Sequence, residues 1–391
     1  MSAKITFFPV GNGDMTLVRF ADQEGTSLLI DMNIRQAADD PNDITRDVGK
    51  DLRDRLPKDQ HGRPYVDALL LSHPDKDHCT GLMKHFHLGP VADYPDDKKK
   101  DAEKKIIARE LWSSPIVFRR ASKEHTLCDD AKAFNTEAKR RVKVNRDRKF
   151  SGVEAGDRIL ILGEDEDGKT DDLGPILVKV DQVFSKINGK ASALFEARLL
   201  APLPKADEAE EDVLSKNHSS TVLAFRLAAS LSRTDACRFL TGGDAEVAIW
   251  ERIWARNKGN KDRLSYDLML AAHHCSWHTL SYDSWSEKKE DAEVSPDARS
   301  ALSQARDSAR IVSSSKPILD DYDDPPCIRA KREYLEILGG VGGRFLCTDE
   351  YPNTRRPEPL EFEVGDMGLT EVRRNTSAAA SIVSVPAPRA G

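Results

Sequence analysis

His73-Pro74-Asp75-Lys76-Asp77-His78 is the densest group of potential ligands in the chain. It directly follows the apolar run Val66 to Leu71. Two imidazoles and two carboxylates within six residues at a strand end can converge on one small volume. Without a cation the carboxylates would repel one another, so the pattern favours a divalent metal such as Zn²⁺ or Mn²⁺ over a polar turn. Three further pieces have the same form. Phe239-Leu240-Thr241-Gly242-Gly243-Asp244 ends an apolar strand on a carboxylate, and the glycines allow a tight turn there. Leu268-Met269-Leu270-Ala271-Ala272 runs into His273-His274-Cys275-Ser276. Asn217-His218-Ser219-Ser220 precedes the apolar segment Thr221 to Phe225.

Such residues need strands to carry them. Lys4 to Phe8, Met15 to Phe20 and Ser27 to Ile30 alternate or run apolar, with Gly11-Asn12-Gly13-Asp14 as a turn and Asp31 at the last strand end. Arg35 to Leu56 suits one or two surface helices, and strand pieces alternate with helical stretches to about residue 163. The 391 residues carry 59 Lys and Arg against 66 Asp and Glu, a net charge of −7, which excludes a globally basic nucleic-acid coat. Locally, Arg119 to Lys149 holds 11 basic and 5 acidic residues, including Lys139-Arg140-Arg141. The acidic stretches Gly163 to Asp167 and Asp207 to Asp212 read as solvated loops. The six cysteines are widely spaced, a poor pattern for a disulfide scaffold or a four-cysteine zinc site. No run approaches a membrane span, and the first residues read as a strand, not a leader, so a cytoplasmic location without membrane contact is expected.

The order HxDxDH, NHSS, GGDAE, HHCS resembles the metallo-β-lactamase fold, in particular the ComEC-like hydrolase domain of DNA-uptake proteins. That branch carries GQGD, LLxDxG, SHPDxDHxGG, NNxSxVLxL, LLTGD and HHGS. The counterparts here are Gly11 to Asp14, Leu28 to Asp31, Ser72 to Gly81, Asn217 to Leu223, Leu240 to Asp244 and His273 to Ser276. Asp75 replaces the second histidine of the usual HxHxDH, Cys275 replaces a glycine, and Cys79-Thr80 precedes Gly81. Val153 to Leu160 and Arg198 to Pro202 match weaker strand signals, so the likeness spans about residues 4 to 350. The channel and oligonucleotide-binding regions of the DNA-uptake proteins have no counterpart, and membrane transport does not carry over.

The resemblance implies an α/β fold, an αββα sandwich with insertions, over residues 1–372. It would have a basic insertion at about 93–150, acidic loops at about 163–173 and 205–213, and a disordered tail at 373–391. It also implies two divalent ions. His73, Asp75 and His218 would hold one, Asp77, His78 and His273 the other, with Asp244 bridging. Asn217 competes with His218, and His274 with His273, for the ligand positions. Asp14 and Asp31 would orient ligands, although a structural turn also explains Asp14. His278 or Lys76 could serve as general acid, and Ser276 could contact a phosphate or cap a helix.

The expected activity is phosphodiester hydrolysis by a metal-activated water, most simply as a nuclease whose basic segment guides the polymer. The family's habits add a defence-system effector whose protein partner regulates cutting. A hydrolase of a small phosphoester, cyclic nucleotide or other ester is the alternative, as is a partner-binding module with a structural metal.

Overall fold

In the computed structural model the described residues are 2–124, 126–204 and 217–372, with the side chains of 121–124 and 218 left out. The acidic stretch at 207–212 and the tail from 373 fall outside them.

The first sheet is built from β1 (Ala3–Phe7), β2 (Thr16–Arg19), β3 (Ser27–Ile30), β4 (Tyr65–Leu70), β5 (Phe86–His87), β6 (Ile106–Ser113), β7 (Arg158–Leu162) and β8 (Leu177–Val178). Next come β9 (Val183–Phe184) and a two-stranded ribbon of β10 (Lys186–Ile187) and β11 (Lys190–Ala191), which lead to the second sheet. There β9 joins β12 (Phe195–Ala201), β13 (Val222–Leu227), β14 (Cys237–Thr241), β15 (Tyr266–Leu270), β16 (Ala305–Ser313) and β17 (Arg344–Cys347). The hairpin β18 (Leu360–Gly365) and β19 (Gly368–Glu371) returns to the first sheet, which runs β19-β18-β1-β2-β3-β4-β6-β7-β8 with β5 on β6. The second runs β17-β16-β15-β14-β13-β12-β9.

Both sheets are mixed in the same way. Pairing is antiparallel through β18, β1, β2 and β3, then parallel through β4, β6, β7 and β8. In the second sheet it is antiparallel through β9, β12, β13 and β14, then parallel through β15, β16 and β17.

Alternation along the strands decides the layers, because successive side chains point to opposite faces. Leu28, Ile30, Ala68 and Leu70 turn inward with Phe225, Phe239, Leu268 and Leu270 of the other sheet to form a core between the sheets. Phe7 and Phe239 meet edge to face at 6.0 Å, and Phe20 stacks on Phe195 at 4.5 Å. Leu29 and Leu69 face the other way, under the helices Val48–Arg53 and Asp129–Asp147. Behind the second sheet, Met269 and Ile311 pack with Trp250, Leu302 and Tyr334 on the helices Val247–Asn257, Pro296–Leu302 and Ile328–Gly339. Each fully buried Leu, Ile or Phe contributes about 2 kcal/mol. The result is two mixed sheets flanked by helices, an α/β architecture. Among the described residues no helix is long and apolar enough to cross a membrane.

Two charge expectations change. The basic segment expected to guide a polymer is partly taken up by the fold: Arg141 is 1% exposed, donates to Glu137 and to the carbonyls of Ala108 and Arg158, and ties the helix to β6 and β7. Arg140 bonds Glu137 and Asp157. The first acidic stretch is not merely solvated either, since Asp165 receives both Nε and Nη2 of Arg119 and Glu164 pairs with Lys179.

Candidate metal centre

The carboxyl ends of β3, β4, β14 and β15 meet at one rim. After β4 the chain continues Leu71-Ser72-His73, and the Ser72 amide and hydroxyl both donate to Asp31 at the end of β3, at 2.6 and 2.5 Å. Asp31 adopts φ +55°, which turns its carboxylate back over the strand end. The Thr221 amide of the second sheet donates to the Ser72 carbonyl at 2.9 Å, and the His273 amide donates to the Gly243 carbonyl at 2.9 Å. The first bond fixes the two sheets' rims against each other, and the second ties the ends of β14 and β15 together. Gly243, at φ +47°, leaves no room for a Cβ: one would lie 2.6 Å from Ser72 Oγ.

Asp244 sits at the middle of the arrangement, 2% exposed. Its Oδ2 is 3.2 Å from His73 Nε2 and 3.7 Å from His273 Nε2. Its Oδ1 is 3.1 Å from His78 Nε2 and 3.4 Å from His274 Nε2. One carboxylate therefore faces two separate histidine pairs. Asp75 Oδ2 stands 3.9 Å from His73 Nε2, and Asp77 Oδ2 stands 3.3 Å from His274 Nε2. Asp14 enters from the β1–β2 loop, where its amide donates to the Asp77 carbonyl, and places Oδ1 3.4 Å from His274 Nδ1. One ligand atom each from Asp14, His78, Asp244 and His274, all buried, lie within 4.8 Å of one another.

The outer nitrogens of the rings are held as well. His78 Nδ1 donates to Asp31 Oδ2 at 2.9 Å and His274 Nδ1 to the Ser314 carbonyl at 3.1 Å, so each presents Nε2 to Asp244. His273, His274 and Cys275 are all left-handed, with φ of 50°, 52° and 68°. Non-glycine residues rarely adopt this conformation, and three in succession swing both rings to the rim.

Charge in the cluster is mutually supported. Burial opposes a charge on His78, but Asp244 and Asp31 hold it well above its usual value. His274 rises to about 10 against the same burial, because Asp244, Asp14 and Asp77 face it. Burial would raise Asp244, yet the four rings around it hold it well below the usual carboxylate range. The carboxylates thus draw in positive charge, which protons or divalent cations can supply.

The donor set fits such cations. His73 Nε2, Asp14 Oδ1 and Asp244 Oδ1 are buried without a well-formed hydrogen bond, a costly arrangement for three groups in one place. Imidazole nitrogens with carboxylate oxygens suit Zn²⁺ or Mn²⁺.

The sequence-derived residues fall into place unevenly. His73, Asp75, Asp77, His78, Asp244 and His273 meet at the rim, and Asp31 backs His78. His274 rather than His273 joins His78 and Asp77, while His273 shares the other Asp244 oxygen with His73. Asp14 lies in the cluster itself rather than behind it. The side chain of His218 is outside the described set. Asn217 donates to Glu246 Oε1 at 2.8 Å, and Glu246 lies 3.5 Å from His273 Nδ1. Sequence reasoning missed that carboxylate, although it stands two residues after Asp244 in the same turn. Ser276 accepts from the His278 amide, a capping role. Lys76 is exposed. His278 is half-buried and acts electrostatically on Asp324, whose carboxyl burial pushes up.

No protein-family model matches the sequence, and no curated protein matches it. Among solved structures the chain is similar to the isothiocyanate hydrolase from Delia radicum gut bacteria, with a TM-score of 0.37 and 12% identity over 92% of this chain and 99% of that one. That likeness is too distant to carry a functional conclusion. The buried histidines and aspartates at the sheet rim have the character of a metal-binding hydrolase centre.

Proposed function

We propose that the chain is a metal-dependent phosphodiesterase of the metallo-β-lactamase type, and that its substrate is a nucleic acid. The observation behind this reading is the placement of Asp244, whose two oxygens face two histidine pairs. His73, His273 and Asp75 would hold one cation; His78, His274, Asp77 and Asp14 would hold the second; Asp244 would lie between them. Two such cations, when bound, lower the pKa of water and neutralise charge on a phosphodiester. The protein's own part is to keep the rings in place through Asp31 and the Ser314 carbonyl, and to exclude bulk water from the ligands. The carboxylate-rich donor set distinguishes this centre from a three-histidine hydrolytic site and suits a harder cation such as Mn²⁺.

The test is incubation of the protein with single- and double-stranded DNA and RNA in Zn²⁺, Mn²⁺ or Mg²⁺, with Asp77→Ala alongside. Chelator-sensitive cleavage, lowered at least about a hundredfold by the substitution, is the expected outcome. Hydrolysis of a small phosphodiester with every polymer left intact would contradict the nucleic-acid part of the proposal.

A further inference from the structure

A cavity of about 630 Å³ opens beside the helix Asp129–Asp147, separate from the ligands described above. Ser113 and Ile161, at the carboxyl ends of β6 and β7, form part of its wall. These strands run parallel to β4, whose end carries His73, so the cavity opens one to two strands along the same rim, about 5–10 Å away in the sheet direction. Ligands of α/β sheets gather at the carboxyl ends of the strands. The volume is in the range of small-molecule sites and far above that of packing defects.

Two rows of residues line it. Phe118, Ala138, Val142 and Leu173 give an apolar floor. Lys139, Lys143 and Arg146 line its edge at spacings of four and three on one helix face, with Arg119 and Lys169 across the opening. Asp147 and Asp165 are the acidic residues in the lining. Arg119, Lys143, Arg146 and Lys169 have acidic partners, whereas Lys139 has none among the described residues. This is the part of the basic segment left over once Arg140 and Arg141 are assigned to the fold. It leaves an apolar chamber with a modest cationic excess at its lip.

We propose that this cavity binds a small amphipathic anion, an apolar or aromatic body of about nucleoside size with one carboxylate, sulfonate or phosphate head, seated with the head on Lys139 and Lys143. The apolar floor would desolvate the body and the lysines would meet the head, the usual division of labour in small-molecule sites. The inference does not depend on the phosphodiesterase reading.

Anilinonaphthalene sulfonate has this chemistry and reports its own binding by fluorescence. Titrated into the full chain, it is expected to saturate at one site and to weaken with salt. Val142→Trp, which fills the chamber, and Lys139→Glu, on an exposed position, should each weaken binding by about tenfold. Circular dichroism of Lys139→Glu checks that the fold is kept. Displacement by decanoate would identify an acyl carboxylate as the natural type of ligand, and displacement by uridine monophosphate a nucleotide. No saturable binding, equal binding by wild type and both variants, or displacement by neither competitor would overturn the proposal.

Discussion

Asp31 Oδ2 lies 2.9 Å from His78 Nδ1, while the other nitrogen of that ring, Nε2, lies 3.1 Å from Asp244 Oδ1. The ring is thus held between a carboxylate that orients it and one beside which it can act as a ligand. Asp31 is 0% exposed and also receives the amide and hydroxyl of Ser72, so its position is set by the ends of β3 and β4. Asp31→Asn retains the shape but turns the acceptor facing His78 into a donor or a weaker acceptor. Metal affinity, measured by competition with a chromophoric chelator, should fall by about 10- to 100-fold.

Gly13 has φ +149°, and a Cβ there would stand 2.1 Å from Asn33 Nδ2 and 2.7 Å from the Asp77 carbonyl. The backbone cannot give way without moving Asp14 away from the cluster. Gly13→Ala should therefore destabilise by about 3 kcal/mol in urea denaturation, and metal affinity should fall in the same variant. Normal stability with normal affinity would show that the β1–β2 loop is not held as described.

Buried Arg141 and exposed Lys139 give opposite expectations although they are two residues apart. Arg141→Met leaves Glu137 with Arg140 as its remaining partner but unpairs the carbonyls of Ala108 and Arg158, and should cost about 1–3 kcal/mol in the same assay. Lys139→Glu should stay within about 0.5 kcal/mol of wild type. Charge reversal across Lys139, Arg140 and Arg141 together would report folding and not substrate guidance.

Cys128 caps the helix Asp129–Asp147 and lies 3.4 Å from Cys79, sulfur to sulfur. The Cys79 thiol hydrogen bond lowers Cys128 to about 6, with burial opposing and the Ala131 amide assisting. The same bond, with burial adding to it, pushes Cys79 up. Cys128 should be the thiolate near neutrality, so its alkylation by iodoacetamide should rise with pH through about 6 and plateau by pH 7. Peptide mapping after a short pulse checks this; a rate still climbing above pH 8 would contradict it.

Much of the rim was legible because each ligand motif follows an apolar run, and alternation within those runs assigns the faces of both sheets. The pairing of individual ligands was not legible. His273 and His274 are adjacent and chemically alike, and three consecutive left-handed residues decide which ring meets Asp77. Asp14 depends on a contact between residues 63 positions apart, the bond from its amide to the Asp77 carbonyl. Charge counting failed over Lys139-Arg140-Arg141, since a sum of charges does not distinguish a helix's inward face from its outward one.

Metal content by elemental analysis, compared between wild type, Asp244→Ala, His274→Ala and His273→Ala, tests the central claim most directly. About two divalent ions per chain are expected in the wild type, with loss of at least one in Asp244→Ala and a greater loss in His274→Ala than in His273→Ala. Hydrolysis of bis-nitrophenyl phosphate should disappear with the metal. A wild-type chain that takes up no divalent ion, or an Asp244→Ala chain that keeps both, would contradict the account.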